Sequence, residues 1–199
     1  MSAVADRYRR HADAFERMVV AVRPEQWSNQ SPCAAWDARG VVEHVVVMHG
    51  VMLRPVDRAP SPAPSVQDDP VRAFTVARAD VEAVLDDPEL AGLECDTPNG
   101  RMTVARQIVE VVSHDFVFHV WDLARATGQD DTMDPEDVER LWAITTAIPA
   151  ALMDKYRTPG AFGPGVEVYG PEVPVAAEAP LQDRLLGVIG RDPAWLDRR

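Results

Sequence analysis

The segment from Asp115 to Gly128 places a carboxylate and an imidazole four residues apart within an otherwise apolar helical pattern. Residues with this spacing lie on one face of a helix, so Asp115 and His119 are predicted to be neighbours on the buried side. Burying either group alone is costly, and each must be ion-paired, hydrogen-bonded or bound to a metal. His44 has a similar apolar setting and offers a third ligand from an earlier helix.

A second pair with the same spacing, Glu110 and His114, lies on the more polar side of this helix, and we interpret it as a solvated face. The candidate metal ligands are therefore His44, Asp115 and His119. Two histidines and one carboxylate leave a coordination position open, which is typical of catalytic zinc. Nickel, iron and manganese suit the same donors, so the metal stays unnamed. The alternative is a set of hydrogen-bonded core histidines, with Asp115 paired to an arginine.

Periodicity predicts five main helices and one short terminal helix. Their predicted bounds are about 3–22, 37–53, 70–85, 103–128, 134–156 and 181–189. Asp37, Thr103 and Asp134 are predicted N-caps, Gly128 is the predicted stop of the fourth helix, and Pro149 is predicted to kink the fifth. The remaining signals predict a loop over 54–69, a turn over 97–100, and short extended pieces at 166–169 and 173–175.

The length of 199 residues suits a single domain over 1–199, with a helical bundle to about 157 and an extension over 158–199. The net charge of −12 argues against nucleic-acid partners and anionic membranes. The N-terminus becomes charged at once, unlike a signal peptide, and no apolar run is long enough to span a membrane. Two cysteines give no disulfide framework. These features predict a cytoplasmic all-α protein.

Several motifs carry a resemblance to a known family. They are Pro32-Cys-Ala-Ala-Trp36-Asp37, Val41-Val-Glu-His44, His119-Val-Trp-Asp-Leu-Ala-Arg-Ala-Thr-Gly128 and Gly190-Arg-Asp-Pro193. With these residues the chain resembles the DinB/YfiT-like metalloenzymes, in the branch of the mycothiol-dependent maleylpyruvate isomerase metal-binding domain. The resemblance implies a four-helix, up-down-down-up bundle and a homodimer. It also implies a divalent metal on His44, Asp115 and His119, although family members have histidine or glutamate where this chain has the shorter Asp115.

The resemblance also implies that a low-molecular-weight thiol such as mycothiol acts as cofactor or co-substrate. A divalent metal lowers the pKa of a thiol and holds the thiolate, which then adds to an electrophilic substrate. The predicted function is a metal-dependent thiol transferase, isomerase or hydrolase that uses a metal-activated thiolate or water. The competing hypothesis is a non-catalytic helical module for ligand binding or dimerisation, and Asp115 is the feature that keeps it open.

Other residues are weaker candidates. His11, on the inner stripe of the first helix, is the candidate catalytic proton carrier, or else a packed histidine. Asp122 has two interpretations, because it can orient His119 or pair with Arg125. Trp36 is interpreted as a core or pocket wall. His49 is expected to face a neighbouring helix or a dimer surface.

Overall fold

The computed structural model describes residues 3–97, 100–161 and 168–196. The chain divides into two compact units, one ending at Asp131 and one beginning at Thr132. The single domain over 1–199, with its bundle to about 157, stays a prediction. In the described residues, no helix has the length and apolar character needed to cross a membrane.

Four long helical segments form the first unit, which has the all-α DinB-like bundle fold. They are α1 (Ala3–Ala21), α2 (Ala38–Leu53), α3 (Pro70–Asp86), and a composite segment made of α5 (Val104–Ile108), a π-helical turn (Val109–Ser113) and α6 (His114–Thr127). Helices α1 and α2 each pack against α3 and α6. The α2–α6 contact is the one that places His44 opposite Asp115 and His119.

Aromatic side chains fill the centre of this bundle. Tyr8 and Phe15 follow the helical period on α1 and are fully buried. The ring of Phe15 lies 5.0 Å from Phe74 and 5.4 Å from Phe116, and the Phe74 and Phe116 rings lie 5.9 Å apart. Such pairs add about 0.5–1.5 kcal/mol each beyond the burial of their area. This core holds α1, α3 and α6 together, and it includes Phe116, the residue that follows Asp115 on α6.

Capping side chains fix where the helices begin and end. The Asp37 carboxylate accepts a hydrogen bond from the Gly40 amide at 2.7 Å, which confirms the predicted start of α2. Thr103 accepts from the Arg106 amide at 3.3 Å. Gly128 ends α6 in the left-handed region at φ 69°, as the sequence predicts. These caps fix the register of the two helices that carry the candidate ligands.

The link between α3 and the fourth long helical segment differs from the prediction. A short helix α4 (Pro88–Gly92) is followed by an antiparallel hairpin of β1 (Glu94–Thr97) and β2 (Gly100–Thr103). Only a turn was predicted there, and its central residues 98 and 99 lie outside the described part of the chain. The fourth helix is predicted to be uniform, but the π-helical turn Val109–Ser113 interrupts it.

An exposed connection joins α2 to α3. Residues 57–65 are all solvent-exposed. At the end of this stretch, the Arg39 guanidinium donates to the carbonyls of Val66 at 2.9 Å and Gln67 at 2.7 Å. The connection is therefore pinned to α2 where it returns to the bundle.

The second unit contains α7 (Pro135–Thr146), α8 (Ala150–Tyr156) and α9 (Leu181–Val188), with α7 packed on α9. The prediction of a single kinked helix over 134–156 is wrong, because the helix ends before Pro149 and a new helix begins after it. That residue has ψ 140° and no N–H to continue the helical bonding. Of the predicted extended pieces, 166–167 lie outside the described residues. Val173 donates its backbone N–H to the Gly187 carbonyl at 2.9 Å.

Candidate metal centre

Three polar side chains from α2 and α6 meet inside the first unit. The Nε2 atom of His44 lies 3.0 Å from Asp115 Oδ2, and the Nε2 atom of His119 lies 3.2 Å from Asp115 Oδ1. Their potential ligand atoms all lie within 4.8 Å of one another. The structure therefore brings together the three residues that the sequence put forward as ligands, although α2 and α6 are far apart along the chain.

The centre is enclosed on the α6 side and partly open on the other. The His119 side chain is 5% exposed, whereas His44 and Asp115 are 22% and 26% exposed. The edge formed by His44 and Asp115 is thus partly exposed to solvent, while the His119 side is packed in the bundle.

A buried carboxylate fixes the orientation of His119. Its Nδ1 atom lies 3.0 Å from Oδ2 of Asp122, which is fully buried. The Nδ1–H of His119 therefore donates to Asp122, and Nε2 is the ring nitrogen that faces Asp115. This carboxylate–histidine arrangement typically lies behind metal-bound imidazoles. It supports the orienting interpretation of Asp122, and Arg125 pairs with Asp131 at 2.9 Å.

Charge holds the three groups together. Burial by itself raises the pKa of Asp115, but the charges and hydrogen bonds of His119 and His44 outweigh it and hold that pKa well below its usual range. Burial lowers the pKa of His119, yet Asp115 and then Asp122 raise it overall to about 9. A proton on His119 thus balances the two carboxylates, and a divalent cation would supply positive charge in the same place.

The donor set fits a divalent ion. The spacings from His44 Nε2 to Asp115 Oδ2 and from His119 Nε2 to Asp115 Oδ1, 3.0 and 3.2 Å, are each close to the separation of roughly 3.3 Å between two ligands of a tetrahedral ion with bonds of about 2.0–2.1 Å. With one atom from each residue, the three ligand atoms lie within 4.8 Å of one another. Imidazole and carboxylate together suit zinc and the other first-row divalent metals. Asp115 thus lies between both imidazoles despite being one methylene shorter than glutamate.

An aromatic wall covers one side of the centre. The Trp36 indole stacks on His44 with ring centroids 4.4 Å apart and planes at 27°, and it meets the His119 ring edge-on at 5.5 Å. From the sequence, Trp36 is interpreted either as part of the core or as part of a pocket wall. Its position directly before the Asp37 cap was the signal that it would stand at the start of α2.

The remaining candidates lie elsewhere. His11 is 6% exposed on the inner face of α1, outside the cluster of three, and its catalytic role stays a prediction. His49 is fully buried and so does not face a dimer surface. Tyr8 donates its hydroxyl to His49 Nε2 at 2.9 Å, and burial lowers the pKa of His49 to about 4, so this histidine is neutral. Glu110 pairs with Arg106 at 2.6 Å on the outer face.

Comparison with known proteins gives relatives that span nearly the whole chain. The uncharacterized proteins Rv0738 and MT0763, from two strains of Mycobacterium tuberculosis, are each 30% identical over 185 residues. The match covers 92% of this chain and 95% of each relative. These relatives support common descent along both units.

The fold is similar to a solved structure. The crystal structure of the mycothiol-dependent maleylpyruvate isomerase aligns with a TM-score of 0.51 and 13% identity, over 79% of this chain and 72% of that one. At this identity the likeness concerns the fold alone. Residues 8–124 match the family described as the mycothiol maleylpyruvate isomerase N-terminal domain, and this range is more than half of the chain. The family resemblance seen in the sequence is thereby confirmed, and the chain belongs to the mycothiol maleylpyruvate isomerase N-terminal domain family.

Proposed function

We propose that this protein is a divalent-metal enzyme that uses a low-molecular-weight thiol, and that His44, Asp115 and His119 hold the metal. The observation that carries the proposal is the meeting of these three side chains at 3.0 and 3.2 Å, with Asp122 behind His119. Zinc is the metal we expect. Membership of a family named for a mycothiol isomerase supports the thiol.

Each residue has a defined task in this proposal. Asp122 keeps the proton of neutral His119 on Nδ1, so that Nε2 is available as a ligand. Asp115 is ionised and lies between the two imidazoles, where it balances positive charge. Trp36 shields one face of His44 from water. The partly exposed edge between His44 and Asp115 is the side from which a thiol would approach.

The bound metal would lower the pKa of the thiol and hold it as the thiolate, which is the nucleophile. Addition of that sulfur to an electrophilic carbon supports transfer, thiol-assisted isomerisation or hydrolysis. The electrophile is not specified by the family, and maleylpyruvate is not assigned to this protein. His11 is the proposed proton carrier.

Elemental analysis of the purified protein tests the metal centre. We expect close to one divalent ion per chain in the wild type and almost none in His44→Ala. His114→Ala is the matched control, since His114 lies outside the cluster of three and is half-buried on the same helix as Asp115. Wild-type protein that stays metal-free when folded and exposed to excess zinc and nickel would refute the proposal.

A thiol panel tests the chemistry. Mycothiol, glutathione and cysteine are supplied with a chromogenic electrophile to zinc-loaded wild type and to His44→Ala. Turnover with a thiol in the wild type alone supports the enzyme. Metal binding without turnover of any pair would instead favour the non-catalytic binding module. Sedimentation of the purified protein checks the homodimer, which stays a prediction together with the cytoplasmic location.

A further inference from the structure

Trp36 contacts both imidazoles of the candidate metal centre. Its ring is nearly parallel to His44, at 27° and 4.4 Å, and it meets His119 edge-on at 63° and 5.5 Å. The imidazoles themselves meet edge-on, with centroids 4.8 Å apart and planes at 70°. The three rings thus pack as one cluster in which the indole face defines the plane of His44.

The loop that carries Trp36 is tied down at its backbone. The Trp36 carbonyl accepts hydrogen bonds from the Ser31 hydroxyl at 2.7 Å, the Gln30 amide at 2.8 Å and the Ser31 backbone N–H at 3.1 Å. The Trp36 N–H donates to the Cys33 carbonyl at 3.0 Å. A loop with so many bonds to one residue holds that residue in a fixed place.

Gly40 provides the space that this arrangement needs. A Cβ atom at position 40 would lie 3.0 Å from Trp36 Cβ and 3.4 Å from Trp36 Cγ. Gly40 sits in the first turn of α2, just after Asp37, where the helix itself does not require glycine. The glycine therefore serves the close approach of the indole to the helix that carries His44.

We propose that Trp36 is a positioning residue that fixes the ring plane of His44 and thereby sets the metal affinity of the centre, with Gly40 making room for it. This inference rests on the proposed metal centre. The His44 side chain is 22% exposed and its Nε2 atom lies 3.0 Å from Asp115 Oδ2, while the Trp36 indole stacks on the face of its ring at 4.4 Å. A stacked indole limits rotation about χ2 and keeps Nε2 aimed at Asp115.

Cobalt binding tests the proposal, because Co²⁺ reports both affinity and coordination geometry through its visible absorption. Trp36→Leu retains apolar bulk without the aromatic face, and Trp36→Phe restores a face. Trp27→Leu is the matched control, since Trp27 is also a tryptophan of the segment before α2 and the Arg39 guanidinium lies over its ring at 5.4 Å. Affinity is measured by competition with a chromophoric chelator.

We expect Trp36→Leu to bind Co²⁺ about tenfold more weakly, as when a residue that supports a ligand is lost. Its cobalt absorption bands should also change shape, while Trp36→Phe recovers most of the affinity and Trp27→Leu behaves as wild type. Gly40→Ala should weaken binding in the same direction, because its Cβ would lie 3.0 Å from Trp36 Cβ and displace the indole, whereas alanine itself favours the helix.

Three results would overturn the inference, and they are distinguishable. If the wild type binds Co²⁺ and Trp36→Leu binds it equally well with unchanged spectra, Trp36 does not position His44 and the metal centre itself stands. If the wild type binds no Co²⁺, the metal centre and this inference fail together. Equal weakening in Trp36→Leu and Trp27→Leu would attribute the effect to general loosening of the loop, and would also overturn it.

Discussion

Replacing Asp122 with asparagine removes the negative charge behind His119 and keeps the size of the side chain. The Asp122 carboxylate is fully buried and lies 3.0 Å from His119 Nδ1. Asparagine keeps the shape and can still accept through its amide oxygen. A hydrogen bond to a charged group contributes about 1.5–3 kcal/mol and a neutral one about 0.5–1.5 kcal/mol. The difference of roughly 1–1.5 kcal/mol corresponds to about a tenfold loss of metal affinity.

The assay is competition for Zn²⁺ against a chromophoric chelator at pH 9. The pKa of His119 is raised to about 9, so at lower pH the proton competes more strongly with the metal. Asp137→Asn is the control, because Asp137 is also a buried carboxylate and pairs with Arg140 at 2.6 Å in the second unit. Circular dichroism shows whether both variants are folded. If Asp122→Asn binds Zn²⁺ within twofold of the wild type, the orienting role of Asp122 is refuted.

Three further predictions concern stability. Burial lowers the pKa of His49 to about 4 in the folded protein. The unfolded state takes up a proton on His49 below about pH 6.5, so this one residue should lower the free energy of unfolding by about 3 kcal/mol as the pH falls from 6.5 to 4. Urea titrations should show a smaller loss for His49→Gln, and parallel pH profiles would contradict this. Phe116→Ala should lower the free energy of unfolding by about 3–5 kcal/mol, because Phe116 is fully buried. The control Val20→Ala, at an exposed position, should lower it by under about 0.5 kcal/mol. A loss below about 1 kcal/mol in Phe116→Ala would contradict the tight packing of the core. Asp37→Ala should cost about 1 kcal/mol by thermal melts, since the cap of α2 is lost, and no change would remove its assigned role.

The helices of the first unit were predictable because their buried residues follow one period and their ends carry strong signals. Helix α1 was predicted to end at Val22 and ends at Ala21, and α3 was predicted to end at Leu85 and ends at Asp86. The hairpin of β1 and β2 was missed because strands of four residues with partly exposed sides give little alternation. The π-helical turn Val109–Ser113 was missed because periodicity does not detect a turn of this kind.

The meeting of the three site residues was predictable in part. Polar residues on apolar stripes identified Asp115, His119 and His44, and the family resemblance supplied their common location. Spacing alone could not assign Asp122, because His119 and Arg125 are each three residues away. In the folded chain the Arg125 guanidinium pairs with the Asp131 carboxylate at 2.9 Å, and the Asp122 carboxylate lies 3.0 Å from His119 Nδ1. Partners of this kind depend on loop geometry beyond α6, which periodicity does not describe.

The exposed connection between α2 and α3 is a suitable place to attach a tag or a label. Residues 57–65 face solvent. Ser61 donates its backbone N–H at 2.8 Å and its hydroxyl at 2.7 Å to the Asp80 carboxylate of α3, and Arg39 holds the chain where it rejoins the bundle at Val66 and Gln67. Surface segments of this type accept added sequence, since lengthening them costs little closure entropy. A short peptide tag or a dye-labelled cysteine grafted there would immobilise or report on the protein while its ligand-bearing helices remain undisturbed.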